Sequence, residues 1–261
     1  MPRWLLALAL CLYCLCGAAA PTPPHSPPAP PAPPTPPLRV AVSGTWTLPF
    51  GELKQNQLVR GITFDVVTAA ARRVGLRVVQ VEVPQLRLDD AMAEGAFDLR
   101  CHFSPSWTPH PERYHWSEPL FETSDVLVGH RNARRLSTLK ALRPGDRVGT
   151  VRGFSYPSLE PLFAAQQAQR EDALDMAAVL RKLAVHRSDY AAVSRQSLDW
   201  HLRTWGDAGL APWQLVIEKS HYHCAVPKTS KLDATRVLAG INQLRGSAAL
   251  REILARYGAT R

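Results

Sequence analysis

The stretch "GITFDVVTAAARRVGLRVVQVEV", residues 61–83, changes its hydrophobic period halfway along. Its first part places Phe64, Val67, Ala71 and Val74 on one side of a helix, and Gly75 follows as a stop. Its second part, residues 76–83, is an unbroken β-rich run. On either side the alternation continues. "LRVAVSG" at 38–44 reads as a strand, "RLDDAMAEG" at 87–95 as a short helix ended by Gly95, and "FDLRCHF" at 97–103 as another strand. Strand, helix, strand, helix, strand in this order predicts an α/β fold with a parallel sheet.

The rhythm then repeats. "SDVLVGH" (124–130) and "RVGTV" (147–151) read as strands, and "YPSLEPLFAAQQ" (156–167) as a helix directly after "RGFS". "EDALDMAAVLRKLAV" (171–185) has helical spacing, "DYAAV" (189–193) is a strand, and "SRQSLDWHLRTWG" (194–206) is a helix ended by Gly206. "WQLVIEKSHYHCAVPK" (213–228) supplies one or two strands. Two amphipathic helices close the chain at 231–245 and 247–258, the second with Leu250, Ile253, Leu254 and Tyr257 at helical spacing. Two α/β units in one chain predict a cleft between them, where small ligands bind.

Upstream, residues 1–20 combine Arg3, an apolar run from Trp4 to Cys16 and small residues from Gly17 to Ala20, the layout of a signal peptide. The run is shorter than the roughly 20 apolar residues a spanning helix needs, so no stable membrane insertion is expected and the product is expected in the periplasm. Residues 21–37, "PTPPHSPPAPPAPPTPP", read as an extended spacer, because proline fixes φ and removes a backbone donor. At about 3.1 Å per residue it spans on the order of 50 Å.

The formal charge is +9. Lys and Arg are scattered through every element without a basic stripe, which argues against nucleic acid and leaves an anionic small molecule or an anionic envelope surface. Three of the five cysteines lie in residues 1–20, leaving Cys101 and Cys224. In an oxidising compartment two cysteines can pair, although spacing does not show it. A metal set is the competing reading: Cys101 and His102 on one strand, His221, His223 and Cys224 on another. Strand alternation sends the two histidines to one face and Cys224 to the other, splitting the set. No metal and no cofactor are expected.

"LRVAVSGTWTLPF", "GITFDVVTAAARRVGLRV", "DDAMAEGAFDLR", "TPHPERYHWSEPLFETSDVLV" and "GDRVGTVRGFSYPSLE", in this order, resemble the family 3 extracellular solute-binding proteins, the polar-amino-acid receptors of ABC importers. The resemblance covers nearly all of 38–261. It implies a two-lobed periplasmic-binding-protein type II fold, each lobe a mostly parallel sheet flanked by helices. Lobe 1 would comprise 38–124 and 220–261, lobe 2 would comprise 125–219, and hinge strands near 122–128 and 215–222 would join them. It further implies a monomer that closes on a small ligand, has an ABC importer permease as partner and is not an enzyme. A dehydratase-like enzyme on the same fold, with Glu112 or Glu118 as acid, or a ligand-sensing module, is the alternative. In that fold the strands carrying Cys101 and Cys224 are neighbours, which makes a disulfide the simpler expectation for them.

Carried over by position, the family's stacking aromatic falls on Trp46, with Phe50 nearby. The pocket strand and loop fall on His102, Ser104, Ser106 and Trp107, and the carboxylate-gripping arginine on Arg113. A guanidinium suits that task because its planar fork makes two parallel charge-assisted bonds. The segment "FSPSWTPHPER" is about three residues longer than the family pattern, which shifts Arg113 relative to Asp98 and brings in Trp107. In the second unit the match gives Ser155 and Tyr156 at a helix start, a natural anion site. Where amino-acid binders carry an acid for the ligand's ammonium, counted from Asp189, this chain has Ser194 and Arg195. The expected ligand is therefore an anionic metabolite, with an ordinary α-amino acid second.

Overall fold

The structure, a computed structural model, describes residues 36–207 and 209–259. The signal-peptide reading, and all of the spacer reading except Pro36 and Pro37, lie outside these residues.

Strand β1 (Leu38–Val42) is buried at four of its five positions and pairs in parallel with β4 (Val78–Glu82). Between them a short hairpin, β2 (Glu52–Lys54) with β3 (Gln57–Arg60), leads into helix α1 (Ile62–Arg73). The buried stripe of α1 is Ile62, Val66, Val67, Ala70 and Ala71, with Thr63. Phe64, read as part of that stripe, is only half-buried, because the helix turns its Ile62–Val66 edge to the core. Gly61 starts α1 at φ 122°, and a Cβ there would stand 2.5 Å from the Phe50 carbonyl oxygen. Its N–H donates instead to the Tyr257 hydroxyl at 2.9 Å, tying the helix start to the last helix.

Helix α2 (Leu88–Ala93) and strand β5 (Arg100–Phe103) follow. Backbone bonds from Ala41 N–H to Leu99 O (2.9 Å) and from Asp98 N–H to Arg39 O (2.7 Å) lay β5 beside β1. Asp98, almost fully buried, also accepts from the Arg39 guanidinium at 2.8 Å and from the Ser230 hydroxyl at 2.8 Å. Two single-turn 3₁₀ helices, Pro105–Trp107 and Pro111–Arg113, fill the lengthened loop before β6 (Tyr114–Trp116).

Strand β7 (Phe121–His130) then crosses to a second sheet containing β8 (Arg147–Val151), β9 (Gln169–Ala173) and β10 (Tyr190–Ser194). There β9, β8 and β10 run parallel and β7 antiparallel to β10. Residues 171–173, read as helical, belong to β9, because a parallel edge beside β8 is open to them. Helix α4 (Met176–Ala184) starts only after Asp175, whose carboxylate accepts from Ala178 N–H at 2.7 Å. The helix expected over 156–167 contracts to α3 (Glu160–Ala164). Helix α5 (Arg195–Trp205) is capped by Ser194.

Strand β11 (Leu210–Pro227) is a single 18-residue strand. Its first part pairs antiparallel with β7, and its last part pairs with β5 and β6. The two long strands β7 and β11 thus join the two halves. Helices α6 (Ala234–Asn242) and α7 (Ala248–Arg256) complete the first half by packing against α1. One core gathers β1, α1, Tyr222, Cys224, α6 and α7, with Phe97, Phe103 and Tyr114 on the other face of its sheet. The second half has its own cores on both faces of the β10–β8 sheet. The fold is α/β and two-lobed.

Cys101 and Cys224 face each other across β5 and β11 and form a disulfide, S–S 1.96 Å, Cα–Cα 4.0 Å. Among the described residues no cluster of three or more His, Cys, Asp or Glu is placed to hold a metal, and no helix is long and apolar enough to cross a membrane.

Candidate functional site

Strands β1, β5, β8 and β10 end on the same side of their sheets, and the segments at those ends enclose a cleft of about 640 Å³, open solvent at its mouth included. Phe50 reaches it from the loop after β1, Arg100 and His102 from β5, and Trp107 from the first 3₁₀ turn. Thr123 and Asp125 come from β7, Gly153, Phe154 and Ser155 from the loop after β8, Met176 from the start of α4, and Ser194 from the end of β10. Ligands of α/β sheets bind at such carboxyl ends.

Strand β5 buries Cys101 in the core of β1, α1 and Tyr222, and Phe103 in the core on the sheet's other face, and Arg100 and His102 line the cleft. The Arg100 guanidinium lies over the Phe103 ring, 3.5 Å from its centre, a cation–π contact. Burial pulls its pKa below the ordinary arginine value, leaving it charged. It makes no ion pair among the described residues, the Asp89 carboxylate acting on it only from beyond that range.

His102 takes φ +53°, rare for a residue other than glycine. Its ring stacks on Phe50 (3.9 Å between centres, 14° between planes) and more distantly on Tyr222 (5.8 Å, 11°), with Trp107 edge-on at 6.0 Å and Trp46 tilted at 6.0 Å. Burial, reinforced by the Arg100 charge, pushes its pKa down to about 3, so the imidazole is neutral. Its Nδ1 and the Trp107 Nε1 are both buried without hydrogen-bond partners in the described structure.

Asp125 provides the opposite charge. Burial at the cleft floor pushes its pKa up to about 7, and the Glu218 carboxylate, its cross-strand neighbour on β11, adds in the same direction. Burial also raises Glu218, whose carboxylate accepts from Ser158 at 3.2 Å. No ion pair takes up Asp125 among the described residues. Across the opening, Gln85 Nε2 donates to the Gly153 carbonyl at 3.3 Å.

Of the residues expected at the site, Phe50, His102, Trp107, Ser155 and Ser194 line this cleft. Ser194 is committed to capping: its hydroxyl accepts from Ser197 N–H at 3.2 Å and donates to Ser197 Oγ at 2.8 Å. Tyr156 borders the cleft, but its ring is core and its hydroxyl accepts from Val151 N–H at 3.0 Å. Trp46 lines an adjoining groove with Trp200 and Trp205. Ser104 is buried against Ser106, which is exposed, and neither lines the cleft.

Three expectations are corrected. Arg113 is exposed outside the cleft, because the longer loop turns it out through the second 3₁₀ turn, where its carbonyl accepts from Lys228 N–H. Ser155 does not start a helix, since α3 begins only at Glu160. Arg195 turns to Ser124, with Nε–Oγ 3.3 Å, and leaves the cleft. Asp125, from β7, is the carboxyl that lines the cleft. The sequence reading does not single out Arg100 and Asp125, although each is a charge inside an apolar β-run, "FDLRCHF" and "SDVLV", which already marks it as needing a partner.

No family model and no curated protein matches the chain. Solved structures do. An ancestral arginine-binding protein bound to arginine superposes with TM-score 0.70 at 18% identity over 84% of this chain and 97% of that one. The GluR0 ligand-binding core from Nostoc punctiforme with L-glutamate gives 0.68 at 14% over 85% and 100%. An ancestral amino-acid-binding protein described as a precursor of cyclohexadienyl dehydratase gives 0.67 at 16% over 84% and 94%. With its cleft framed by two sheets and crossed by two long strands, the chain has the two-lobed periplasmic-binding-protein type II fold, the architecture of the solute-binding proteins its sequence resembles.

Proposed function

We propose that the chain is a periplasmic solute-binding protein that captures a small carboxylate-bearing metabolite between its lobes, for delivery to an ABC importer. The single observation that carries this reading is Arg100, a guanidinium lining the cleft that makes no ion pair among the described residues. A charge held there at the cost of desolvation is a site for an anion, and a bidentate bond to a carboxylate is its best complement. Asp125, unpaired at the cleft floor, allows the same ligand to carry an amine, which brings an amino acid back beside the purely anionic ligand that the sequence favoured. The similar structures with arginine and glutamate bound, and the substrate-binding protein of an amino-acid ABC transporter among them, support this class. The periplasmic location rests on the leader reading of residues 1–20.

Thermal-shift screening of the full chain against mono- and dicarboxylates, amino acids, sugars and amines tests it. Carboxylates are expected to raise Tm in the wild type and to fail in Arg100→Gln. Stabilisation by sugars or amines alone contradicts the reading.

A second reading has one observation behind it. A cleft carboxyl with a pKa near 7 suits a general acid or base, so Asp125 makes turnover of the bound acid the alternative. Incubating the best-binding carboxylate with the protein and following it by mass spectrometry separates the two: unchanged ligand supports binding, conversion that Asp125→Asn abolishes supports an enzyme.

A further inference from the structure

The two unpartnered ring nitrogens beside Arg100 narrow the ligand class. Buried polar atoms are nearly always hydrogen-bonded, so those that are not ask for an explanation. His102 Nδ1 and Trp107 Nε1 are both buried and both without partners in the described structure. Both side chains line the cleft that Arg100 enters, and the rings meet edge to face at 6.0 Å. The cleft wall is aromatic from both lobes, with Phe50 stacked on His102 and Trp107 edge-on to the same His102 ring on one side, and Phe154 on the other. Such a wall offers π-faces and edges rather than a generic apolar slot, and aromatic pairs gain more than their buried area. An indole Nε1 only donates, whereas a neutral imidazole presents one donor and one acceptor. A ligand ring substituent with both capacities, such as a hydroxyl, matches the donor and acceptor that the two atoms offer.

We propose that the cleft selects a planar aromatic carboxylic acid bearing a hydrogen-bonding ring substituent, with the carboxylate on Arg100, the ring among Phe50, His102, Trp107 and Phe154, and the substituent on Trp107 Nε1 and His102 Nδ1. This rests on the carboxylate reading above and adds the chemistry of the ligand's other end. It sets the cleft apart from one shaped for a flexible aliphatic acid, which would leave both nitrogens unsatisfied.

Calorimetric titration of the full chain with 4-hydroxybenzoate, benzoate, cyclohexanecarboxylate and succinate tests it. Benzoate is expected to bind about tenfold more tightly than cyclohexanecarboxylate, which has the same charge and similar size but no π-system. The 4-hydroxyl is expected to add roughly five- to tenfold, lost in Trp107→Phe, which keeps the ring packing and removes the donor. Retained circular dichroism and a ligand-free Tm close to the wild type's show that this variant is folded. Equal binding of the saturated and aromatic acids, or tightest binding of succinate, overturns the inference and leaves the carboxylate reading intact. Failure of all four acids overturns both.

Discussion

At the scale of single residues, Arg100 and Asp125 set this cleft apart from the pattern that the sequence resemblance implies. By resemblance the carboxylate clamp was expected at Arg113, and the longer "FSPSWTPHPER" loop carries that side chain to the surface. The charge reappears on β5, one strand earlier. Arg100→Gln should therefore weaken carboxylate binding roughly 100-fold, as loss of a charge-assisted pair does. Arg113→Ala should leave affinity within about twofold, since an exposed arginine contributes little. Titration calorimetry of both variants checks the assignment, and the reverse pattern would return the clamp to the loop. Asp125 carries a stability cost. The folded chain holds its proton more tightly than the unfolded chain, so its contribution is full below about pH 4 and is lost as pH rises through about 7. Asp125→Asn should raise stability at pH 8 by about 2–4 kcal/mol and converge with the wild type near pH 4. A Tm gap that does not depend on pH would contradict that account.

At the scale of elements, the helices and strands around the site were largely legible, and the misreadings have physical causes. The α1–β4 unit announced itself through the change of period at Gly75. The segment 171–173 did not, because its alternation is polar and only the edge of β8 makes it a strand. The helix expected directly after "RGFS" is shorter than its reading, because the chain keeps turning until Glu160. Which face of β5 and β7 meets the cleft depends on pairing with β11, a partner more than eighty residues away, so Arg100 and Asp125 could be seen as misplaced charges but not assigned.

The same pairing positions the disulfide. It closes a sequence separation of 123 residues, for which the chain-entropy account gives about 4–5 kcal/mol. Reduction, or Cys101→Ser with Cys224→Ser, should lower Tm by roughly 5–15 °C. A thiol count on the denatured, unreduced protein should find neither cysteine free. Gly153 is the complementary case on the second lobe: it has φ +78°, and a Cβ there would meet Leu86 at 2.8 Å and Gln85 at 3.0 Å. Gly153→Ala should strain this turn, push against the facing Gln85–Leu86 turn and weaken ligand binding severalfold. Small-angle scattering should show a larger ligand-bound radius than the wild type, and an identical radius and affinity would remove the contact's role.

At the scale of the whole molecule, β7 and β11 are the only long strands among those described, and their ladder links the cores of the two lobes. Motion about that ladder is the one that would open and close the cleft while each core stays packed. Two partly independent cores and a shared pair of strands form a scaffold that binding can bias without unfolding either half. Ligand should accordingly stabilise the protein by mass action, with Tm rising as free ligand exceeds Kd. What the cleft contains decides the chemistry. Its cation, its carboxyl of pKa near 7 and its aromatic wall point to a small ring-bearing acid.

The most direct test of the central claim is a calorimetric titration of the wild-type chain with 4-hydroxybenzoate and, separately, its primary amide, which differs only in the group offered to Arg100. The account predicts saturable binding of the acid and binding of the amide at least ~100-fold weaker. Equal affinity for the two, or tighter binding of the amide, would contradict it.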